Sequence, residues 1–116
     1  MATISPVRGE IYDVDWTPAR GSEQAGARPS LVIQNNIANG VTAYHVTIVL
    51  AISSKLKGHP PMVRVEPTNE NGLTVTSEIN VGQIMTIDKQ RLGRRRGMLS
   101  VDDMKKVEVK LAKMLS

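Results

Sequence analysis

Two stretches of this chain concentrate side chains that can handle an anion. Residues 18–29 read P-A-R-G-S-E-Q-A-G-A-R-P and set two arginines, Arg20 and Arg28, around one acid, Glu23. A guanidinium is a planar fork of donors that pairs two oxygens of a phosphate or carboxylate at once, and a nearby carboxylate can accept a proton. Residues 89–96 read K-Q-R-L-G-R-R-R, five basic residues in eight, with Lys89 and Arg91 at the start. Each stretch also has a plainer reading. The first is a solvated hairpin loop and the second a solvated turn. The chemistry both admit is contact with an anion, either nucleic acid or an acidic protein segment.

Other chemistries are excluded by what the chain lacks. It has no cysteine, which removes thiolate nucleophiles, disulfides and cysteine-ligated zinc. Its two histidines, His45 and His59, stand in no metal-ligand spacing; one falls in an apolar run and the other in a Gly-His-Pro turn. No metal and no cofactor are expected. Net charge is +4 and the isoelectric point about 9.7, which suits an anionic partner. The aromatics are Tyr12, Trp16 and Tyr44 with no phenylalanine, too few for a sheet that stacks bases.

The elements that must position these residues read mostly as short strands. Residues 10–16 begin one after Ser5-Pro6, and Pro18 stops it. Residues 30–34 (S-L-V-I-Q) follow Pro29 as a buried-strand candidate, and residues 46–52 form the most apolar run, a central strand. Residues 62–66 alternate after Pro60-Pro61, and residues 73–75 and 83–88 add two more strands. Residues 35–40, rich in asparagine, read as a turn or short helix. Only the C-terminus is firmly helical. Ser100 with Asp103 three residues on resembles a capping box, and Val101, Met104, Val107, Leu111 and Met114 recur at spacings of three and four. Short strands followed by one terminal helix predict a mainly β protein, a small bent barrel with the helix packed outside.

Apolar residues make up 41% and charged residues 22%, which fits a folded domain rather than a disordered chain. At 116 residues, a single domain over 1–116 is expected. No apolar run approaches the ~20 residues of a membrane span and no signal-like N-terminus is evident, so a cytoplasmic location is the expectation.

Several motifs, in order and across nearly the whole chain, resemble the MazF/PemK toxin family. They are R-G-E-I-Y-D-V-D, then G-S-E-Q-A-G-A-R-P-S-L-V-I-Q-N ending at Asn35, V-L-A-I-S-S around Ser53, and K-G-H-P from Lys57. G-Q-I-M-T-I-D-K-Q-R-L from Gly82 and L-S-V-D-D-M-K-K-V follow. The resemblance implies an SH3-like barrel, a homodimer, an acidic antitoxin as protein partner, and metal-independent cleavage of single-stranded RNA. In such toxins the RNA's own 2′-hydroxyl attacks, leaving a 2′,3′-cyclic phosphate and a 5′-hydroxyl. Carried over by position, Arg28 matches the catalytic arginine, Ser53 the catalytic threonine, Glu23 a functional glutamate and Gln83 a glutamine near the RNA. Arg20, Lys89 and Arg91 join Gln83 as candidate RNA contacts.

Two departures stand out. Serine replaces threonine at Ser53, keeping the hydroxyl but losing the methyl that restrains it, and Ser54 beside it offers a second hydroxyl. Met85 stands where relatives often carry a basic residue, with Arg94, Arg95 and Arg96 close by in sequence. Two other functions remain open: a CcdB-like topoisomerase poison on the same fold, and a binder of RNA or antitoxin that does not cut.

Overall fold

The structure is a computed structural model that describes residues 5–15 and 27–116. Six strands run in the order β1 (Glu10–Asp15), β2 (Ala27–Val32), β3 (Val46–Ser53), β4 (Met62–Val65), β5 (Ser77–Asp88) and β6 (Leu92–Met98). A short helix, α1 (Asn36–Asn39), sits between β2 and β3, a 3-10 turn (Lys89–Arg91) joins β5 to β6, and α2 (Val101–Leu115) ends the chain. The strands make one antiparallel sheet in the order β4-β5-β3-β2-β1-β6.

Alternation along the strands explains how one sheet fills two cores. Leu31 and Leu50 point into a cluster with Ile11, Ile52, Ile79, Val81 and Val107 of α2. Their neighbours Val32 and Val49 point the other way, against Tyr12, Val14, Ile87 and Leu92. The sheet therefore bends around the first cluster while its back carries the second. Between Leu50 and Ile52 of β3 the partner on β5 jumps from Ile84 to Ile79, so β5 spends three extra residues there. That irregularity lets β5 turn from β3 toward β4.

The ladder does not close, since β4 and β6 are its two ends. The gap is covered by the segment after β4, where the Met98 N–H donates to the Glu70 carbonyl (2.7 Å). The approach is close: a Cβ on Gly97 would fall 2.1 Å from that carbonyl, and one on Gly72 would fall 2.1 Å from the carbonyl of Arg96. The barrel expected from sequence is thus an open sheet closed by a loop.

Residues 73–75 are not the strand that sequence predicts. The Asn71 side chain accepts from the N–H groups of Thr68 and Leu73 and donates to the Glu66 carbonyl, so local side-chain bonds replace ladder bonds. Residues 89–96 form a turn only over Lys89–Arg91; β6 follows at once. Its arginines stay in a strand because β1 answers them, Arg95 pairing with Glu10 and Arg96 with Asp13 (3.1 Å).

At α2 the Ser100 hydroxyl accepts from the Asp103 N–H (3.1 Å), the expected cap. Val107 is buried, and Met104 and Leu111 pack on the core beside it. The stripe is narrower than its sequence suggests, because Val101 is 72% exposed and Met114 is also exposed. No described helix is long and apolar enough to cross a membrane.

Candidate functional site

The β2–β3 register carries the first two candidate residues to one place. Ser30 faces Ala51 and Leu31 faces Leu50, so the start of β2, with Arg28, lies beside the end of β3, with Ser53. On the other side of β3, Ser53 faces Glu78 of β5. Arg28, exposed, and Ser53, half-buried, line a cleft of about 470 Å³ together with Lys55, Lys57, Asn80, Gln83 and Met85. A second lobe of about 260 Å³ shares Arg28, Pro29, Ile52, Ser53 and Lys55 with the first, and adds Ser54, Leu73, Val75 and Arg96. Arg28, Ser53 and Lys55 therefore stand on the ridge between the lobes, with Ser54 on one side only.

The Ser53 hydroxyl accepts from the Lys55 N–H (3.0 Å). A hydroxyl has two acceptor lone pairs and one donor hydrogen, so this bond leaves its proton available to a substrate oxygen. Glu78, only 2% exposed, holds the next part of the loop. Its two carboxylate oxygens accept from the N–H groups of Lys57 (2.8 Å) and Gly58 (2.9 Å), and Arg64 pairs with it at 3.4 Å. The bond from the Lys57 N–H, helped by those from Gly58 and Arg64, holds the Glu78 carboxyl below its ordinary value despite burial.

The remaining sequence candidates fall elsewhere. Lys89 is only 4% exposed, and its ammonium donates to the carbonyls of Asn39 (2.9 Å) and Val41 (3.2 Å). It ties down the end of α1 and the turn after it, and it lines neither lobe of the cleft. Arg91 donates to the Asp15 carbonyl (3.2 Å) at the end of β1 and lines neither lobe. Arg20 and Glu23 lie outside the described residues. Lys55, Lys57 and Asn80 were missed as site residues. The K-G-H-P stretch was a usable signal for Lys57, whereas nothing in the spacing distinguished Lys55 or Asn80. Met85 sits in the cleft and adds an apolar group to its lining.

A small antiparallel sheet with one terminal helix, bearing a cationic cleft on the outer ends of β2 and β3, defines the class of molecule. The family model described as the PemK-like, MazF-like toxin of type II toxin–antitoxin systems matches residues 7–115. Endoribonuclease EndoA of Bacillus subtilis (strain 168) is 40% identical over 102 residues, covering 87% of this chain and 86% of that protein. Among solved structures, a mycobacterial endoribonuclease in complex with its cognate antitoxin aligns with a TM-score of 0.77 at 28% identity, covering 95% of this chain and 94% of that one. A MazE-MazF structure from Deinococcus radiodurans aligns with a TM-score of 0.79 at 26% identity, covering 97% and 96% of the two chains. The chain belongs to the PemK-like, MazF-like toxin family.

Proposed function

We propose that this chain is the endoribonuclease toxin of a type II pair and cuts single-stranded RNA at the ridge between the two lobes. The observation that carries the reading is that Arg28, Ser53 and Lys55 line both lobes of one cationic cleft. The relatives named endoribonucleases supply the reaction class.

In this reading the RNA's 2′-oxygen attacks the adjacent phosphorus and the bond to the 5′-oxygen breaks. The products are a 2′,3′-cyclic phosphate and a 5′-hydroxyl. The proton of the 2′-hydroxyl goes to a base, for which Glu23 is the chemically easy choice. Arg28 pairs the non-bridging oxygens as negative charge builds and hydrogen-bonds the departing 5′-oxygen, which takes a proton from water to become the 5′-hydroxyl. A guanidinium gives up its proton only reluctantly, so charge stabilisation is the role its chemistry favours. The Ser53 hydroxyl donates to a non-bridging oxygen, and Gln83 contacts the strand beyond the cut. No carboxylate lines either lobe among the described residues, so the developing charge meets cations and neutral donors.

The same cationic cleft suits the acidic segment of an antitoxin, as expected for a chain of net charge +4. The exposed Ile84 of β5, with Met114 and Leu115 at the end of α2, leaves apolar surface for a second copy of the chain. A cytoplasmic location goes with this reading. The test is to incubate the purified chain with a long single-stranded RNA and map the new 5′ ends. Cuts at a recurring short motif, with 5′-hydroxyl ends, in excess EDTA and with matching DNA untouched, are expected. No cutting, or cutting that needs added magnesium, overturns the proposal.

A further inference from the structure

We infer that Glu78 is a positioning residue for the RNA cleft, whose buried carboxylate clamps the loop after β3 so that Lys55 and Lys57 form its cationic wall. This rests on the endoribonuclease reading above. Position 78 lies on β5 opposite Ser53 of β3 and Arg64 of β4, and its sequence neighbour Ile79 belongs to the apolar core. A carboxylate there costs desolvation that an apolar residue would not.

What the carboxylate holds is specific. Consecutive N–H groups of Lys57 and Gly58 converge on its two oxygens, at 2.8 and 2.9 Å. Gly58 has φ +68°, the left-handed conformation that turns successive N–H groups toward one point and makes a backbone nest for an anion. The nest is filled from within the molecule. With Ser53 holding the Lys55 N–H and the His59 carbonyl accepting from the Met62 N–H (2.9 Å), the loop is pinned at its start, middle and end.

The pinned loop adds little to the core. Residues 54–60 are all exposed, Leu56 included, and a Cβ on Gly58 would meet nothing within 4 Å. Its evident product is the placement of Lys55 and Lys57 along the cleft that holds Arg28 and Ser53. Lysines fixed before the strand arrives lose less freedom on binding than lysines on a loose loop.

The test measures kcat and KM on an RNA carrying the mapped motif, from about 50 to about 300 mM KCl, a range over which phosphate contacts are read out by their salt dependence. For single strands each contact adds ~0.7 to the slope of log(kcat/KM) against log salt, so Glu78→Gln is expected to flatten it by up to ~1.4. KM should rise about tenfold at moderate salt, the scale of two exposed ion pairs, with kcat within about threefold. Lys55→Ala/Lys57→Ala should give the same flattening, and adding Glu78→Gln to it should change little more. Should Glu78→Gln fold poorly, Gly58→Ala strains the nest in open space and should shift KM and slope the same way. Unaltered slopes in both Glu78→Gln and Gly58→Ala, with wild type cutting normally, overturn the clamp. Full additivity of Glu78→Gln with the lysine variants does the same. Absence of cutting by wild type counts instead against the function itself.

Discussion

Replacing Ser53 by alanine separates the role of this hydroxyl from that of its neighbour. The hydroxyl accepts from the Lys55 N–H at 3.0 Å and stands on the ridge shared by both lobes, whereas Ser54 reaches only one. Two losses follow from Ser53→Ala. The exposed turn loses one neutral hydrogen bond, about 1 kcal/mol of stability at most. The transition state loses a preorganised donor, which typically costs ~100-fold or more in rate. Single-turnover cleavage of a mapped RNA should therefore fall about two orders of magnitude while the urea midpoint moves only slightly. Ser53→Thr restores the hydroxyl on a stiffer side chain and should cut at least as fast as wild type. Ser54→Ala should stay within about threefold of wild type, because it removes no donor on the ridge. A near-normal rate for Ser53→Ala together with a large loss for Ser54→Ala would refute the placement of the phosphate between Arg28 and Ser53.

Arg28→Ala should lose at least ~100-fold in single-turnover rate with fold retained, and Arg28→Lys should recover little, since a point charge cannot make the bidentate contact; near-normal cutting by Arg28→Ala would move the site elsewhere. Light scattering at micromolar concentration should report twice the 12.7 kDa mass of one chain, and a monomer throughout that range would oppose the dimer. Burial, reinforced by the charge and hydrogen bond of Glu10 and opposed by Arg95, pushes the Tyr12 phenol from 10.0 up to about 12. Because the folded value is the higher one, the associated stability is complete below pH 10 and is lost as pH rises toward 12. In Tyr44→Phe, where Tyr12 is the one tyrosine left, phenolate absorbance centred near 10 would contradict this. Gly97→Ala drives a Cβ to 2.1 Å from the Glu70 carbonyl and should cost about 2–3 kcal/mol in urea unfolding; an unshifted midpoint would mean the loop yields freely.

What could be read in the sequence followed simple periodicity. β1, β3 and α2 were legible because alternation or a three-four spacing survives in them and caps mark their ends. β2 starts at Ala27, earlier than expected, since Arg28 is extended before Pro29 and pairs across with Val14. It stops at Val32, where Ile33 and Gln34 both turn their N–H groups to the Ile48 carbonyl. The first half of β5 was hidden because Glu78 and Asn80 break its apolar pattern, and β6 because three consecutive arginines look like solvent-facing charge. Their acidic partners, Glu10 and Asp13, lie more than eighty residues away in the chain. Arg28 and Ser53 emerged from motif resemblance, and the register of β2 with β3 accounts for their meeting. The buried place of Lys89 was not legible, because composition counts charges without saying which are engaged by carbonyls inside the fold.

The strand order has a consequence for the birth of the molecule. Among the described strands, β1, made first, takes one of its two neighbours from β6, made last, and the floor of the cleft is β3 held by β5. A nascent chain ending near Ile52 already contains Arg28 but has neither the β5 wall nor Glu78 to order the loop that would follow. Pairing across such sequence distances is slow. The cleft therefore cannot form piecemeal. A fragment that stops before β5 lacks one wall of the cleft and the carboxylate that orders its loop.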